Sequence, residues 1–332
     1  MQIMLRYDLR SAPFGAPHAD LYRAALEQAD WLDGLDVAGV GVVISEHHGS
    51  PDGYLPSPFV FAAAVAGRTR RAFVSIAAAL APFHHPIRLA EDIAVLDLVS
   101  GGRVSVVLAA GYRYEEFAMF GLDTAQRGAL VEETVATLKR AWSGEAFDFR
   151  GETVMVTPRP FQRPRPPIVL GGSSPAAARR AARIADGFLP SSPDLMDVYR
   201  AERERLGFDA GPATAPTRYG GSVALVTDDP DEGWAAIGEY CLHEMNTYAA
   251  WFASGAGGSG PYFHVPDVDA LRATGKFLVV TPDECIELAR DAGTLTLCPL
   301  IGGFPPDLAR AGLELIERKV VPALGSGPTG LG

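Results

Sequence analysis

A chain of 332 residues, 48% apolar and 21% charged, has the composition of a compact globule rather than a disordered polymer. Its 40 acidic residues outnumber 29 basic ones, and a net charge of −11 argues against a protein that grips the nucleic-acid backbone, which needs a basic face. Three cysteines without CxxC spacing (Cys241, Cys285, Cys298) argue against a disulfide framework or structural zinc site, and no apolar run nears the roughly 20 residues that span a bilayer.

Short β-branched runs then alternate with stretches of helical period. Residues 3–7 predict a first strand rather than a signal peptide, because no basic region and apolar core precede a cleavage site. A helix over 18–33 carries Leu21, Ala25, Leu26, Ala29 and Leu32 on one face. Strands at 40–44, 72–78 and 104–109 are followed by helices over 58–67, 86–99 and 125–142. An excursion at 147–158, read as a hairpin, precedes a fifth strand at 167–170 and a helix over 175–185. A short strand at 187–189 with a helix over 195–206 makes the sixth unit, and 222–226 with 232–251 the seventh. After an insertion at about 249–274 come a helix over 282–293, an eighth strand at 295–299 and a last helix over 306–324.

Repeated strand–helix units with strands apolar on both faces imply a parallel sheet, and eight of them favour a closed (β/α)8 TIM barrel over a doubly wound sheet. The doubly wound alternative also lacks a GxGxxG after its first strand. One barrel domain over 1–325, interrupted by that insertion and followed by a flexible tail at 326–332, is the expected organisation.

In such a barrel, chemistry sits on the loops after the strands. After the second strand comes Ser45-Glu46-His47-His48-Gly49. Adjacent side chains of an extended chain alternate faces, so one histidine points into the barrel mouth and the other packs outward. A histidine there can move protons near neutral pH. The third strand ends in small residues that include Ala77 and Ala78, and the fourth in Ala109-Ala110-Gly111-Tyr112. Small residues at strand ends let a flat ring approach the backbone. Pro82-Phe83-His84-His85-Pro86 opens the next helix, its histidines read as loop packing. Gly171-Gly172-Ser173-Ser174-Pro175 leads into a helix, where free amides and the helix dipole favour an anion. Both histidine pairs are adjacent rather than HxH, so neither readily chelates one ion; no metal is expected, which weakens a rival reading as a metal-dependent barrel hydrolase.

SEHHG, Pro56-Ser57-Pro58, FHHPIRLAEDIAVLDLVSGGRV (83–104), GYRYEEFAMFG (111–121) and PIVLGGSSPAAARRAARIADGF (167–188), with GGFPPDLA near the end, together resemble bacterial luciferase-like flavin monooxygenases. The resemblance covers most of the chain and is weakest at 249–274. It implies a flavin over the barrel mouth. An alanine pair at the end of the third strand, often joined by a cis peptide, supports the flavin ring in that family, and Ala77-Ala78 match it, with Ala110 beside them. The family's phosphate turn matches Gly171, Gly172, Ser173 and the amides near Ala176. Its EHH motif places His47 in the proton-handling role. Tyr112, Phe14, Tyr54 and Phe83 are taken to shape an apolar substrate pocket, and 254–260 to be either a mobile lid or a disordered surface loop.

The implied activity is a two-component monooxygenase. Reduced FMN from a separate flavin reductase reacts with O2 to a C4a-peroxyflavin, which oxygenates a small organic substrate by hydroxylation or Baeyer–Villiger-type insertion. A cytoplasmic homodimer, without membrane or nucleic-acid partners, is the accompanying expectation. Two departures from luciferase stand out. Ala109 and Ala110 occupy the place of a reactive cysteine and a phosphate-contacting arginine, and Gly172 that of a glutamate in the phosphate turn. Light emission is thus not expected, and positive charge for a phosphate must come from elsewhere, with Arg179 or Arg180 as candidates. The alternatives are an F420-dependent hydride-transfer enzyme, since the superfamily uses both cofactors, and a non-catalytic flavin-binding partner subunit.

Overall fold

A computed structural model describes residues 1–209, 222–255 and 262–324 of the chain. In chain order, β1 (Gln2–Tyr7), α1 (His18–Asp33), β2 (Gly39–Ile44), α2 (Pro58–Arg68), β3 (Phe73–Leu80), α3 (Pro86–Ser100) and β4 (Val104–Ala109) lead to α4 (Tyr114–Met119) and α5 (Arg127–Ala141). A hairpin of β5 (Phe147–Phe149) and β6 (Glu152–Val154) precedes β7 (Ile168–Gly172), α6 (Pro175–Ile184), β8 (Gly187–Pro190) and α7 (Asp194–Arg205). The last third holds β9 (Ser222–Val226), α8 (Pro230–Ser254), α9 (Val268–Ala273), β10 (Phe277–Val280), α10 (Pro282–Ala292), β11 (Thr294–Leu297), α11 (Pro306–Leu315) and α12 (Val321–Leu324). A π-helical turn at Ile316–Val320 joins the last two helices, so the expected helix over 306–324 is one near-continuous rod.

Nine of the strands form one parallel sheet in the order β10-β9-β11-β1-β2-β3-β4-β7-β8. β1 pairs with β2 on one side and with the last strand, β11, on the other. From β1 to β8 the order never reverses, so every right-handed crossover winds the same way and the helices gather on one face. That is the winding of an α/β barrel, not of a doubly wound sheet, which reverses at a switch point. Buried Ile3, Leu5 and Tyr7 alternate with half-buried Met4 and Arg6 along β1, as expected of a strand covered on both sides.

The expectation of eight strands is corrected to nine. β10 adds to β9 in parallel, from Phe277 opposite Ser222 to Val280 opposite Val226, with a register shift between Leu278 and Val279. A four-residue apolar run beside an insertion carries too little periodicity to announce itself as a strand. No ladder among the described residues joins the outer strands β8 and β10. The helix expected over 125–142 is found as α5, beginning at Arg127, and α4 is a further short helix that the sequence pattern did not announce. Of the 254–260 lid and the 326–332 tail, residues 256–260 and all of 326–332 lie outside the described residues. Among the described residues, no helix is long and apolar enough to cross a membrane.

The excursion between β4 and β7 is tied back to the barrel through one buried carboxylate. Asp97 on α3 accepts hydrogen bonds from the Gln162 backbone amide at 2.8 Å and from Gln162 Nε2 at 2.7 Å. Replacing Asp97 by alanine leaves those donors without their acceptor, at a cost of about 2 kcal/mol. Urea denaturation of the Asp97→Ala variant is expected to show a lower midpoint with an unchanged slope; an unchanged midpoint would refute this anchoring role.

Candidate functional site

The carboxyl ends of β2, β3, β4 and β7 surround a cavity of about 740 Å³, within the size range of cofactor sites. Its floor is built from small residues. The Ala77–Ala78 peptide is cis, and Ala78 stands out of the ladder, since Ala77 pairs with Val107 and Ala79 with Leu108. Ala109, Ala110 and Gly111 continue the floor from β4.

The end of β7 closes one side. A Cβ on Gly172 would come within 2.4 Å of Ala177 Cβ, so the turn packs this closely against α6 only with glycine there, while one on Gly171 would stand 3.2 Å from Val107 Cγ1 of β4. Ser174 caps α6 by accepting from the Ala177 amide at 3.3 Å, with Pro175 at the first helical position. Ser173 and Ala176 also line the cavity. Two guanidinium groups stand on this wall. Arg180 lines it while donating to Glu132 at 3.0 Å; Arg127, at the start of α5, lines it while donating to the Thr124 carbonyl at 2.9 Å. Arg179 is exposed and does not line the cavity. The sequence reading thus reached Arg180 but missed Arg127, which stands in the first turn of the helix expected over 125–142.

His47 lines the cavity, and His48 does not. The alternation of side chains along an extended backbone separates them as expected. His47 donates from Nδ1 to Glu116 Oε1 at 2.7 Å, and edge-to-face contacts with Tyr54 and Tyr112 enclose its ring at centroid distances of 4.9 and 5.6 Å. Tyr248 and Trp251 of α8 complete the ring's surroundings at 6.1 and 4.8 Å. Burial pushes the His47 pKa down; the Glu116 carboxylate opposes that shift, and the nearby Arg10 and Arg113 guanidinium groups add to it. The net direction is downward, which favours neutral imidazole at neutral pH.

His48 turns instead toward Phe83 and Phe120 and donates from Nε2 to Glu46 Oε1 at 2.9 Å. Glu46 also accepts from His84 Nε2 at 2.9 Å and from the Leu80 amide at 2.6 Å. One buried carboxylate thereby ties the end of β2 to the end of β3, just past the alanine floor. Burial alone would raise the Glu46 pKa, but those hydrogen bonds outweigh it and hold the group below its usual range. His84 is a packing group, as read from the sequence; His85 is exposed against Phe149.

Two expected pocket residues are elsewhere. Phe14 is 55% exposed, packs on Tyr240 and borders a separate surface groove with Asp52, His243 and Trp251. Phe83 stacks on Phe120 at 4.8 Å and meets Phe117 at 4.9 Å, behind the cavity wall. Both are aromatic residues near strand ends, and sequence alone does not reveal which way a loop side chain turns. Tyr54 and Tyr112 do line the cavity.

The sequence reading also missed the buried charges beneath the site: Asp8, Arg10, Arg113, Glu116 and Glu244. One signal was present. Arg6, Asp8 and Arg10 follow at a spacing of two, so the inner face of an otherwise apolar first strand and its extension is charged. Arg10 is fully buried, donates to Asp8 at 3.0 Å and places its guanidinium 4.6 Å from the Tyr54 ring centroid and 4.4 Å from that of Tyr248.

The family model described as luciferase-like monooxygenase matches residues 11–291. The chain belongs to the luciferase-like monooxygenase family. Among its relatives, the oxygenase component of a flavin-dependent trigonelline monooxygenase from Acinetobacter baylyi is 32% identical over 137 residues, 39% of this chain and 38% of that protein. An F420-dependent glucose-6-phosphate dehydrogenase from Nakamurella multipartita is 30% identical over 196 residues, 54% of this chain and 57% of that one. The chain thus spans about half the length, or less, of these curated relatives. The crystal structure of the monooxygenase RslO1 from Streptomyces bottropensis superposes with a TM-score of 0.76 and 25% identity, covering 98% of this chain and all of that one. Family membership accounts for the barrel, and the relatives above include both a flavin-dependent oxygenase component and an F420-dependent dehydrogenase.

Asp52, next to the EHH segment of this family member, gives a test of the buried charge network. It accepts from His243 Nε2 at 2.9 Å and from Ser50 Oγ, and lies 3.7 Å from Arg10 Nη1. Burial works against ionisation, yet these partners hold its pKa at about 2, down from 3.8. A depressed carboxylate contributes stability that is full above its unfolded value of 3.8 and is lost as pH falls through about 2. The Asp52→Asn variant is expected to be less stable at neutral pH and to lose stability less steeply across that acid window. Urea midpoints measured against pH decide the matter, and parallel curves for the two proteins would count against it.

Proposed function

We propose that this chain is the oxygenase component of a two-component monooxygenase, taking reduced FMN from a separate reductase and using O2 to oxygenate a small organic substrate by hydroxylation or insertion beside a carbonyl. The observation that carries this reading is that a buried histidine, a floor of alanines and a Gly-Gly-Ser-Ser turn into a helix N-terminus share one cavity. A flavin-dependent oxygenase component among the relatives supports it.

The residues present suit such a cofactor. Ala77, Ala78, Ala110 and Gly171 present backbone and methyl groups rather than long side chains, which leaves room for a flat ring. Ser173, the Ala176 amide at the start of α6 and the Arg180 and Arg127 guanidinium groups suit a phosphate dianion. The bound cofactor, when reduced, supplies the electrons that activate O2. His47 handles the proton beside it, and Tyr54 and Tyr112 border the space left for substrate. Burial pushes both phenols upward, so each stays a hydrogen-bond donor at neutral pH. The Tyr112 hydroxyl is buried without a partner among the described residues. Enclosure by Trp251 and the tyrosines keeps water from the reacting atoms. A cytoplasmic homodimer belongs to the same reading, and three buried free thiols accord with a reducing setting.

A second reading, F420-dependent hydride transfer, has the glucose-6-phosphate dehydrogenase relative in its favour. Titration of the purified protein with reduced FMN and with F420 separates the two. FMN binding with reductase-dependent oxygen consumption is the expected result, and tight binding of F420 alone would overturn the proposal.

Two variants refine it. His47→Ala is expected to keep FMN affinity within a factor of about three while product formation falls on the order of a hundredfold; undiminished turnover would remove His47 from its role. Arg180→Ala is expected to weaken FMN by about tenfold and leave riboflavin, which lacks the phosphate, unchanged. An equal effect on both ligands in fluorescence titration would place Arg180 away from the phosphate.

A further inference from the structure

We propose that Glu116 is a positioning residue: it accepts the Nδ1 proton of His47 and so holds the imidazole in the tautomer whose Nε2 lone pair is presented to the cavity. The inference deepens the role given to His47 above and rests on that reading for its catalytic meaning, but the tautomer itself does not.

Geometry makes the assignment. The Glu116 side chain has no solvent exposure, and its Oε1 gathers three donors: His47 Nδ1 at 2.7 Å, the His48 backbone amide at 2.9 Å and Arg113 Nη1 at 3.3 Å. An oxygen surrounded by two obligate donors, an amide and a guanidinium, is an acceptor, so the imidazole nitrogen facing it carries the proton. Neutral imidazole then has its lone pair on Nε2. No hydrogen bond is made to that nitrogen among the described residues, and His47 is part of the cavity wall.

The carboxylate is itself fixed from two sides. Its bond to the His48 amide ties it to the chain that carries His47, so ring and acceptor move together. Arg113 donates from Nη1 to the His48 carbonyl at 2.9 Å and rests its guanidinium 4.2 Å from the Trp251 ring centroid. Because Tyr54, Tyr112 and Trp251 pack around the imidazole, a flip exchanging its two nitrogens would have to displace at least one of them. A carboxylate that fixes the tautomer of a working histidine is a recurrent way of aiming one ring nitrogen.

The charged and titratable groups around His47 are Glu116 and Arg113 near α4, Arg10 after β1, Tyr54 after β2, Tyr112 after β4 and Tyr248 on α8. Removing the Glu116 charge takes away the group that favours protonated His47, while Arg10 and Arg113 still disfavour it. Protonated His47 then becomes harder to form, so the acid limb of a rate profile that needs neutral His47 moves to lower pH in Glu116→Gln.

The deciding experiment is nitrogen NMR of histidine-labelled wild-type protein, with and without FMN, the His47 signals assigned by their loss in His47→Ala. The expected spectrum at neutral pH has His47 protonated at Nδ1 and bare at Nε2; a proton on Nε2, or an even mixture, overturns the proposal whatever the enzyme's reaction proves to be. Turnover supplies the second readout. With FMN affinity within about twofold of wild type, Glu116→Gln is expected to lose about tenfold in kcat and to shift its acid limb down, and Glu116→Ala to lose more. Wild-type kcat in the alanine variant, or loss of FMN binding in step with kcat in both, would show a merely structural role. A protein with the expected tautomer and no oxygenation of any substrate would sink the functional proposal and leave the tautomer assignment standing.

Discussion

Parallel strands that wind in one direction bring all their carboxyl ends to a single rim. That constraint governs everything else in this protein. From β1 to β8 the sheet never reverses order, and the last strand returns to pair with the first. Loops far apart in sequence therefore converge, and residues from about 45, 77, 110, 172 and 248 line one cavity. None of these loops could form a cofactor-sized cavity alone. The register of β3 against β4, with Ala78 stepped out of the ladder, places a small residue at the centre of the floor.

The second organising feature is the pairing of charge beneath that rim. A buried ion is tolerated only when its partners replace water. Here Glu46 and Glu116 each have several, those of Glu116 all on Oε1 while its Oε2 is buried without a partner among the described residues. Glu46 collects His48, His84 and the Leu80 amide, while Glu116 collects His47, the His48 amide and Arg113. The two networks divide the EHH segment between them. Glu46, which also borders the cavity, and His48 hold β2 to β3, while His47, its ring held by Glu116 and aromatic walls, faces the cavity. The two histidines of the segment thus part company, one to the scaffold and one to the cavity, because consecutive side chains of an extended chain point opposite ways.

Much of this was legible in the amino-acid order. Eight of the nine sheet strands, the hairpin at 147–154 and most of the helices were evident, because β-branched runs and helical apolar faces each have their own period. Ala77, Ala78, Ala110, Gly171, Gly172, Ser173, Ala176, His47, Tyr54 and Tyr112 were placed at the mouth from strand-end position together with the family resemblance, and all of them line the cavity. β10 was missed because four apolar residues carry no decisive period. Phe14 and Phe83 were misplaced for a different reason: a loop aromatic can face the cavity or the scaffold with equal local propensity.

The chain by itself determined the alternation of elements, the family and the kinds of residue at each strand end, since these depend on local period and on motifs a few residues long. Only the tertiary structure decided which charges meet. Glu116 lies 69 residues from His47, and Arg10 reaches rings at Tyr54 and Tyr248. Such pairings carry no local periodicity, because they exist only once the winding of the sheet has brought separate loops to the same rim.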